Sequence, residues 1–141
     1  MEIQREQKQM AEELVKKHEL EFAVVFGSQA NGQTRKDSDL DIGILDPKPE
    51  TYKRYGDLYN DFSKVFKGQN VDLRMIKGAE PVFLYNTLMK GKFLAGQRQI
   101  FSQYQAFAYK NFVDSKPLFE LKEKLLLKRQ KKINKMIKNV R

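Results

Sequence analysis

The sequence predicts an α/β fold of the α+β type, in which helices flank a small mixed sheet and further helices follow at the C-terminus. Short apolar runs that end at glycine or proline alternate with longer amphipathic stretches, in the order α-β-β-α-β-α-(β)-α-α. That order is typical of helices packed on a sheet. The length of 141 residues suits one domain with a single core. Within that domain we expect a core over residues 1–97 and a helical extension with a basic tail over residues 98–141.

The first third of the chain is predicted to form a helix and two strands. The helix covers residues 2–19, where apolar residues recur at helical spacing among charged ones. The strands lie at Phe22–Phe26 and Asp39–Leu45, and Asp46-Pro47 ends the second of them. The loop between the strands contains the turn signal Asn31-Gly32.

Aromatic residues at helical spacing mark the next helix, predicted near residues 50–67. They are Tyr52, Tyr55, Tyr59, Phe62 and Phe66. We interpret this stripe as core packed on the sheet rather than as a platform for stacking bases. A third strand is predicted at Val71–Ile76 and a short helix near residues 81–90, with Pro81 suited to its first turn. The segment Gly91–Gly96 predicts an edge strand.

The remainder, from Arg98 onward, is predicted to be helical with a break near residues 114–117, where Asp114 or Ser115 caps the last helix. That helix has an apolar seam of residues seven apart, flanked by three more: Phe119, Leu126, Ile133 and Val140, with Leu118, Leu125 and Ile137. Such a seam on a cationic helix is poorly suited to packing wholly inside a small domain. Up to Leu127 two interpretations stay open, a partner-binding helix or a surface helix packed on its own domain. Beyond Leu127 we expect an exposed or partner-bound helix.

The net charge of +9 is unevenly distributed along the chain. Residues 122–141 contain nine Lys or Arg and one Glu, a net charge of +8. The remainder holds eighteen basic and seventeen acidic residues, a net charge of +1. The basic tail therefore indicates an acidic partner, either nucleic acid or a negatively charged protein surface.

The composition excludes several classes of site. The chain has no cysteine, which excludes disulfides, thiolate metal sites and a cysteine nucleophile, and its one histidine, His18, excludes a histidine-rich zinc site. We expect His18 to interact with the dipole of the first helix at its C-terminal end. No apolar run approaches the ~20 residues that span a bilayer, and the N-terminus lacks an apolar signal core. We therefore expect a cytoplasmic protein without membrane contact.

The pattern Gly27-Ser28, ten residues, Asp39-x-Asp41 carries the chemistry. Residues two apart on a strand share a face, so the two aspartates would present their carboxylates side by side. A divalent cation removes the repulsion between them, and oxygen ligands suit Mg²⁺ or Mn²⁺. Backbone N–H groups and the hydroxyl of the Gly-Ser turn can meet phosphate oxygens. Taken alone, the Asp-Ser-Asp segment would read as a solvated strand entry and the Gly-Ser pair as an ordinary turn. Together they indicate phosphoryl or nucleotidyl transfer.

At these residues the chain resembles the polymerase-β-type nucleotidyltransferase superfamily, over roughly Phe22–Ile76. Its short length resembles the minimal nucleotidyltransferases (MNT proteins), many of which are antitoxins encoded beside HEPN toxins. The resemblance implies a nucleotidyltransferase core in which Asp72 is the third carboxylate, a metal ligand able to accept a proton. It also implies that Asp39 and Asp41 bind Mg²⁺ and that Gly27 and Ser28 hold the triphosphate of ATP.

The acceptor implied by the same resemblance is a tyrosine of a HEPN-type toxin, which AMP transfer would silence. Arg74 shares the predicted face of Asp72, where it either binds phosphate or pairs with that carboxylate. Arg35 and Lys36 either add positive charge near the phosphates or are solvated loop residues. Two other functions use the same features: nucleotide transfer to a small molecule such as an aminoglycoside, and non-catalytic binding of nucleic acid or a partner through the basic tail.

Overall fold

The computed structural model describes residues 2–27 and 39–140. Within them a short 3-10 turn, Thr51–Lys53, precedes the second helix. The helices and strands, numbered in chain order, are α1 Arg5–Lys17, β1 Phe22–Phe26, β2 Leu40–Leu45, α2 Tyr55–Val65, β3 Val71–Met75, α3 Pro81–Lys90, β4 Lys92–Gly96 and α4 Arg98–Val140. The predicted α/β class is confirmed, and Asp39 lies just before β2 rather than within it.

The four strands form one mixed sheet in the order β3-β2-β1-β4. β1 pairs antiparallel with both β2 and β4, whereas β2 and β3 are parallel. Parallel neighbours need a crossover connection, and the segment containing α2 supplies it. β4 is an edge strand, as predicted, and β3 forms the opposite edge.

Each face of the sheet is covered by a pair of helices. α1 and α2 cover one face, where Ala23 and Val25 of β1 join a core that includes Phe62 of α2. α3 and α4 cover the other face, where Phe22 packs with Leu88 of α3. Alternation along β1 sends its side chains to both cores. Full burial of side chains of this size stabilises the fold by about 1.5–3 kcal/mol each.

The predicted aromatic stripe divides between core and surface. Phe62 and Phe66 are fully buried, and Tyr59 packs against the same core. Tyr55 is partly exposed and donates a hydrogen bond from its hydroxyl to the carbonyl of Leu73. Tyr52 is exposed because it belongs to the 3-10 turn and so leaves the helical stripe. The core interpretation therefore holds from Tyr59 onward.

The predicted break near residues 114–117 is wrong. α4 runs without interruption from Arg98 to Val140, with Pro117 inside it. A proline in a helix interior removes one N–H donor and costs about 3 kcal/mol, but its φ is compatible with a helix. Many of its neighbours, such as Leu121, are strong helix formers that support the helix on both sides. Neither Asp114 nor Ser115 therefore starts a new helix.

The C-terminal part of α4 leaves the domain. Every residue from Lys116 to Val140 is exposed. Leu118 is 68% exposed and Leu126 is 55% exposed, so the alternative in which this stretch packs on its own domain is wrong. Among residues 2–27 and 39–140, no helix is both long enough and apolar enough to cross a membrane.

Candidate functional site

The parallel pairing of β2 with β3 places two carboxylates next to each other. Asp41 and Asp72 are direct partners in the register of the two strands. Their side chains lie close enough to share a hydrogen bond. Buried Leu40 and Ile42 flank Asp41 because alternate residues of the strand face the core. Folding thus brings together two of the three predicted acidic residues.

The electrostatics of the Asp41 carboxyl reflect this crowding. Burial raises the pKa of Asp41 above 3.8, and the charge and hydrogen bond of Asp72 raise it further. The charge of Asp39 acts in the same direction, and the guanidinium of Arg74 opposes it. Two carboxylates at this separation are therefore costly to ionise together unless a cation lies between them.

Gly27, at the end of β1, lies directly against Asp41. Its φ is +78°, a conformation that glycine adopts without steric cost. A Cβ at this position would lie 2.2 Å from Oδ2 of Asp41, so no other residue fits without movement. Ser28, the other predicted phosphate-binding residue, lies outside the described residues, as do Arg35 and Lys36.

Asp39 is oriented by a residue that sequence reasoning missed. Oδ1 of Asp39 accepts a hydrogen bond from Nδ2 of Asn70 at 2.9 Å. The backbone N–H of Leu40 donates to the carbonyl of the same Asn70 at 2.8 Å. Asn70 immediately precedes β3, so the parallel register of β2 and β3 would have pointed to this pairing.

Arg74 pairs with Asp72, as one of the two alternatives for it predicted. Its Nε lies 3.3 Å from Oδ2 of Asp72, and both side chains are substantially exposed. The guanidinium also lies 6.0 Å from the centre of the Phe83 ring. Phe83 in turn makes a T-shaped contact with Phe26, the residue before Gly27. Arg74 therefore links the acidic pair to an aromatic contact that the sequence did not reveal.

The donor set of this site fits a hard divalent cation. Asp41 and Asp72 offer oxygen ligands, which Mg²⁺ and Mn²⁺ prefer. Burial and the neighbouring carboxylates raise the pKa of Asp41, and a bound cation would offset these effects by favouring the ionised carboxylate. Over the described parts of the chain, no three acidic or histidine side chains converge into a closed cage. Asp41 and Asp72 therefore form the centre of a candidate cation site, and Asp39 lies next to it.

His18 lies outside this cluster, at the C-terminal end of α1. Its Nε2 is 2.7 Å from Oδ2 of Asp61 on α2, and Lys17 contacts the same carboxylate. The hydrogen bond with His18 lowers the pKa of Asp61, and Lys17 lowers it further. The role of His18 is therefore a structural contact between α1 and α2.

Several solved structures share this fold. Three of them are the crystal structure of a toxin–antitoxin complex with AMP-PNP, the crystal structure of the toxin–antitoxin MntA-HepT, and a tri-AMPylated Shewanella oneidensis HEPN toxin in complex with an MNT antitoxin. The first matches at 20% identity and a TM-score of 0.60, covering 92% of this chain and 98% of that chain. The second matches at 19% identity and a TM-score of 0.56, covering 95% of this chain and 99% of that chain. The third matches at 20% identity and a TM-score of 0.52, covering 92% of this chain and 98% of that chain.

Sequence comparison identifies the family independently of these structures. No curated protein matches the chain. The family model described as polymerase beta, nucleotidyltransferase matches residues 8–100, which include β1, β2 and β3 with Gly27, Asp41 and Asp72. Because that match spans well over half of the sequence, this chain belongs to the polymerase-β nucleotidyltransferase family.

Proposed function

We propose that this protein transfers AMP from ATP to a tyrosine hydroxyl of a HEPN-type toxin and thereby acts as its antitoxin. The observation that carries the proposal is the Asp41–Asp72 pair, held in register across parallel strands and faced by Gly27. A half-buried carboxylate pair beside a glycine turn is suited to binding a metal–nucleotide complex. ATP is a cytoplasmic metabolite, and the proposal places the reaction there.

The choice of donor and acceptor is supported by the structural relatives. One of them is a toxin–antitoxin complex with AMP-PNP, an analogue of ATP. Another contains a HEPN toxin that carries AMP groups, in complex with an MNT antitoxin. Each match extends over nearly the whole of both chains, so the likeness in fold includes the C-terminal helix as well as the sheet.

Asp39, Asp41 and Asp72 would hold Mg²⁺, or Mn²⁺ in its place. Bound there, the cation would neutralise negative charge on the triphosphate and on the carboxylates. Asp39 has an oxygen available for this role because Asn70 occupies only Oδ1 in the structure. Asp41 is the ligand whose environment most favours a cation, given its burial and its contact with Asp72.

The residues around the pair would position the nucleotide and move the proton. Gly27 would offer its backbone N–H, and Ser28 its hydroxyl, to phosphate oxygens of the nucleotide. The tyrosine oxygen attacks the α-phosphorus of ATP, the bond from that phosphorus to the bridging oxygen breaks, and pyrophosphate leaves. Asp72 would accept the proton of the tyrosine hydroxyl. Arg74 is paired with this carboxylate, its Nε lying 3.3 Å from Oδ2 of Asp72.

A transfer assay tests the proposal. The protein is incubated with Mg²⁺, ATP labelled at the α-phosphate and the product of the neighbouring gene, the candidate HEPN-type acceptor. The wild type should label that protein on tyrosine, and the Asp39→Asn/Asp41→Asn variant should lose at least about 99% of the rate. The matched control is Asp57→Asn/Asp114→Asn, which removes two exposed carboxylates elsewhere and should retain full activity. If the wild type and the Asp39→Asn/Asp41→Asn variant both silence the partner without labelling it, the protein neutralises its partner by binding instead.

A further inference from the structure

The apolar stripe that anchors α4 to the domain continues past the point where the domain ends. Phe101 and Ala108 of α4 are buried against the sheet, and Phe112 stacks on Tyr85 of α3 at 4.3 Å. Residues at seven-residue intervals from Phe112 repeat on nearly the same face. They are Phe119, Leu126, Ile133 and Val140. We call these four residues, with the adjoining Met136 and Ile137, the α4 seam.

Nothing within the described chain covers the α4 seam. Leu126 is 55% exposed, Ile133 is 39% exposed and Val140 is 87% exposed. Ile133, Met136, Ile137 and Val140 line one shallow apolar depression at the spacing i, i+3, i+4, i+7. That spacing is the anchor pattern of a helix lying in an apolar groove of another protein. Folded monomeric proteins rarely expose a large contiguous apolar surface, and where they do, it commonly marks an interaction site.

The charge of α4 defines what can cover the seam. Residues 122–141 carry a net charge of +8. Lys122 and Arg129 lie along the border of the seam, seven residues apart, where a second copy of the helix would bring like charges together. Pairing of two copies is thus opposed by repulsion, whereas a groove bordered by Asp and Glu is complementary.

The side chains of the seam favour a protein over nucleic acid. Nucleic acid would be bound through phosphate contacts, for which the lysines suffice, and would leave Leu126, Ile133 and Met136 in water. A protein groove removes them from water. The exposed stretch of 25 residues, 116–140, is about 37 Å long at 1.5 Å per residue, enough for an interface of ordinary size.

We propose that residues 116–140 of α4 are a docking helix that inserts the α4 seam into an apolar groove, bordered by Asp and Glu, on the protein that accepts the nucleotide. The identity of that protein rests on the proposed function, and the docking surface rests on the seam and its charges. The proposal assigns the two roles to separate residues: α4 binds the acceptor, and the Asp41–Asp72 pair at the sheet acts on it.

Binding measurements on purified proteins test the docking helix. The probe is the product of the neighbouring gene, the candidate HEPN-type acceptor, which is titrated by calorimetry against wild type and two variants. Leu126→Gln/Ile133→Gln removes two seam residues, and Lys124→Gln/Lys131→Gln changes two residues at the same seven-residue spacing on the opposite side of the helix. All four side chains are exposed, so both variants should keep the Tm of the domain. The seam variant should bind at least about tenfold more weakly, and the lysine variant within about twofold.

Several results would overturn the docking helix. They are equal affinity of the seam variant and wild type, absence of any complex with the wild type, or a wild-type dimer in sedimentation that the seam variant loses. Tight binding of a labelled single-stranded RNA that depends on the lysines, with partner binding indifferent to the seam, would make α4 a nucleic-acid element instead.

The transfer assay separates this inference from the proposed function. If the complex forms through the seam but no AMP is transferred, docking stands and the transferase proposal fails. If AMP is transferred and the seam variant binds as tightly as wild type, the transferase proposal stands and docking through α4 fails.

Discussion

Gly27 and Asp41 are in contact across the antiparallel pair β1–β2, so closely that a methyl group on Gly27 would lie 2.2 Å from Oδ2 of Asp41. The contact connects the end of the glycine turn to the carboxylate that also pairs with Asp72. The position of Asp41 is thus fixed from both sides, by β1 through Gly27 and by β3 through Asp72. A substitution at Gly27 should therefore displace the acidic pair more than it disturbs the packing of the core.

Gly27→Ala should displace the Asp41 carboxylate and lower the transfer rate by about a hundredfold or more, a loss typical of misplaced catalytic groups. Gly78→Ala is the matched control, because Gly78 has nearly the same φ, +77° against +78°, but open space around the position of its Cβ. Both variants should lose about 1–2 kcal/mol of stability from backbone strain. Transfer rates and urea unfolding of the two variants check this. Equal activity of the two would contradict the role of the Gly27–Asp41 contact.

Asp41→Asn should stabilise the protein at pH 7 in the absence of divalent ions. Because the folded-state pKa of Asp41 is raised above 3.8, the folded protein binds the proton more tightly than the unfolded chain. Stability therefore decreases as pH rises through the raised pKa, and at pH 7 the ionised carboxylate is destabilising. The expected gain for the variant is no more than about 1 kcal/mol.

Urea unfolding at pH 7 and below pH 3.8 measures this gain, which should vanish at the lower pH, where the wild-type carboxyl is protonated. Mg²⁺ should reverse the order at pH 7 by stabilising the wild type alone. The exposed Asp57→Asn serves as the control and should show neither effect. A variant less stable than wild type at pH 7 without Mg²⁺ would be inconsistent with repulsion in the pair.

Arg74→Gln should tighten the binding of Mn²⁺ in the absence of nucleotide, because the guanidinium occupies the Asp72 carboxylate that the cation would use. Exposed ion pairs of this kind are worth about 0.2–1 kcal/mol, which corresponds to an affinity gain of up to about fivefold. Electron paramagnetic resonance of free Mn²⁺ provides the measurement. The control is Arg98→Gln, which removes an exposed arginine that also lies over a phenylalanine ring, that of Phe93, outside the acidic cluster. Weaker Mn²⁺ binding in Arg74→Gln would mean that Arg74 supports the site.

Asp46→Asn should destabilise the fold through a buried ion pair at the end of β2. Burial by itself would raise the pKa of Asp46, but hydrogen bonds from Arg54 and Lys48 outweigh it and lower the pKa to about 2. The contribution to stability is therefore present above 3.8 and is lost as pH falls toward about 2. Because Arg54 and Lys48 are about one-third exposed, the expected loss at pH 7 is about 2–3 kcal/mol.

The difference between wild type and Asp46→Asn should become small at pH 2, and urea unfolding at both pH values checks it. Glu13→Gln, which alters an exposed carboxylate of α1, should leave stability within about 0.5 kcal/mol at either pH. A loss that persists undiminished at pH 2 would show that shape, rather than charge, makes Asp46 necessary.

Strand positions could be predicted well because local signals enclose them. β1 coincides with the predicted Phe22–Phe26, and β3 ends one residue before the predicted Ile76. Both are short apolar runs beside turn residues, where the alternatives differ by large amounts of buried surface. The proximity of Asp41 and Asp72 could also be predicted from the sequence. Each lies on a strand that local signals indicate, and the resemblance to the nucleotidyltransferases assigns both to one site.

Features that depend on distant partners could not be predicted in the same way. The hydrogen bond from Asn70 to Asp39 requires the register of the parallel pair, which no local pattern fixes. The position of Phe83 beside Arg74 depends on how α3 packs on the sheet. α4 continues through Pro117 because the helix propensity of many neighbours outweighs the loss of one hydrogen bond. A prediction made from the proline alone considers only the lost hydrogen bond.

Because α4 is uninterrupted, its exposed part moves as one rigid helix that pivots at the stack of Tyr85 on Phe112. A tilt of about 5° at Phe112 would move Val140, which lies about 42 Å away at 1.5 Å per residue, by about 4 Å. Small changes in packing between α3 and α4 are thus amplified into displacements of several ångströms at the C-terminal end of the helix. The aromatic stack therefore influences the direction of residues 116–140, although it contacts neither the acidic pair nor the C-terminal end of α4.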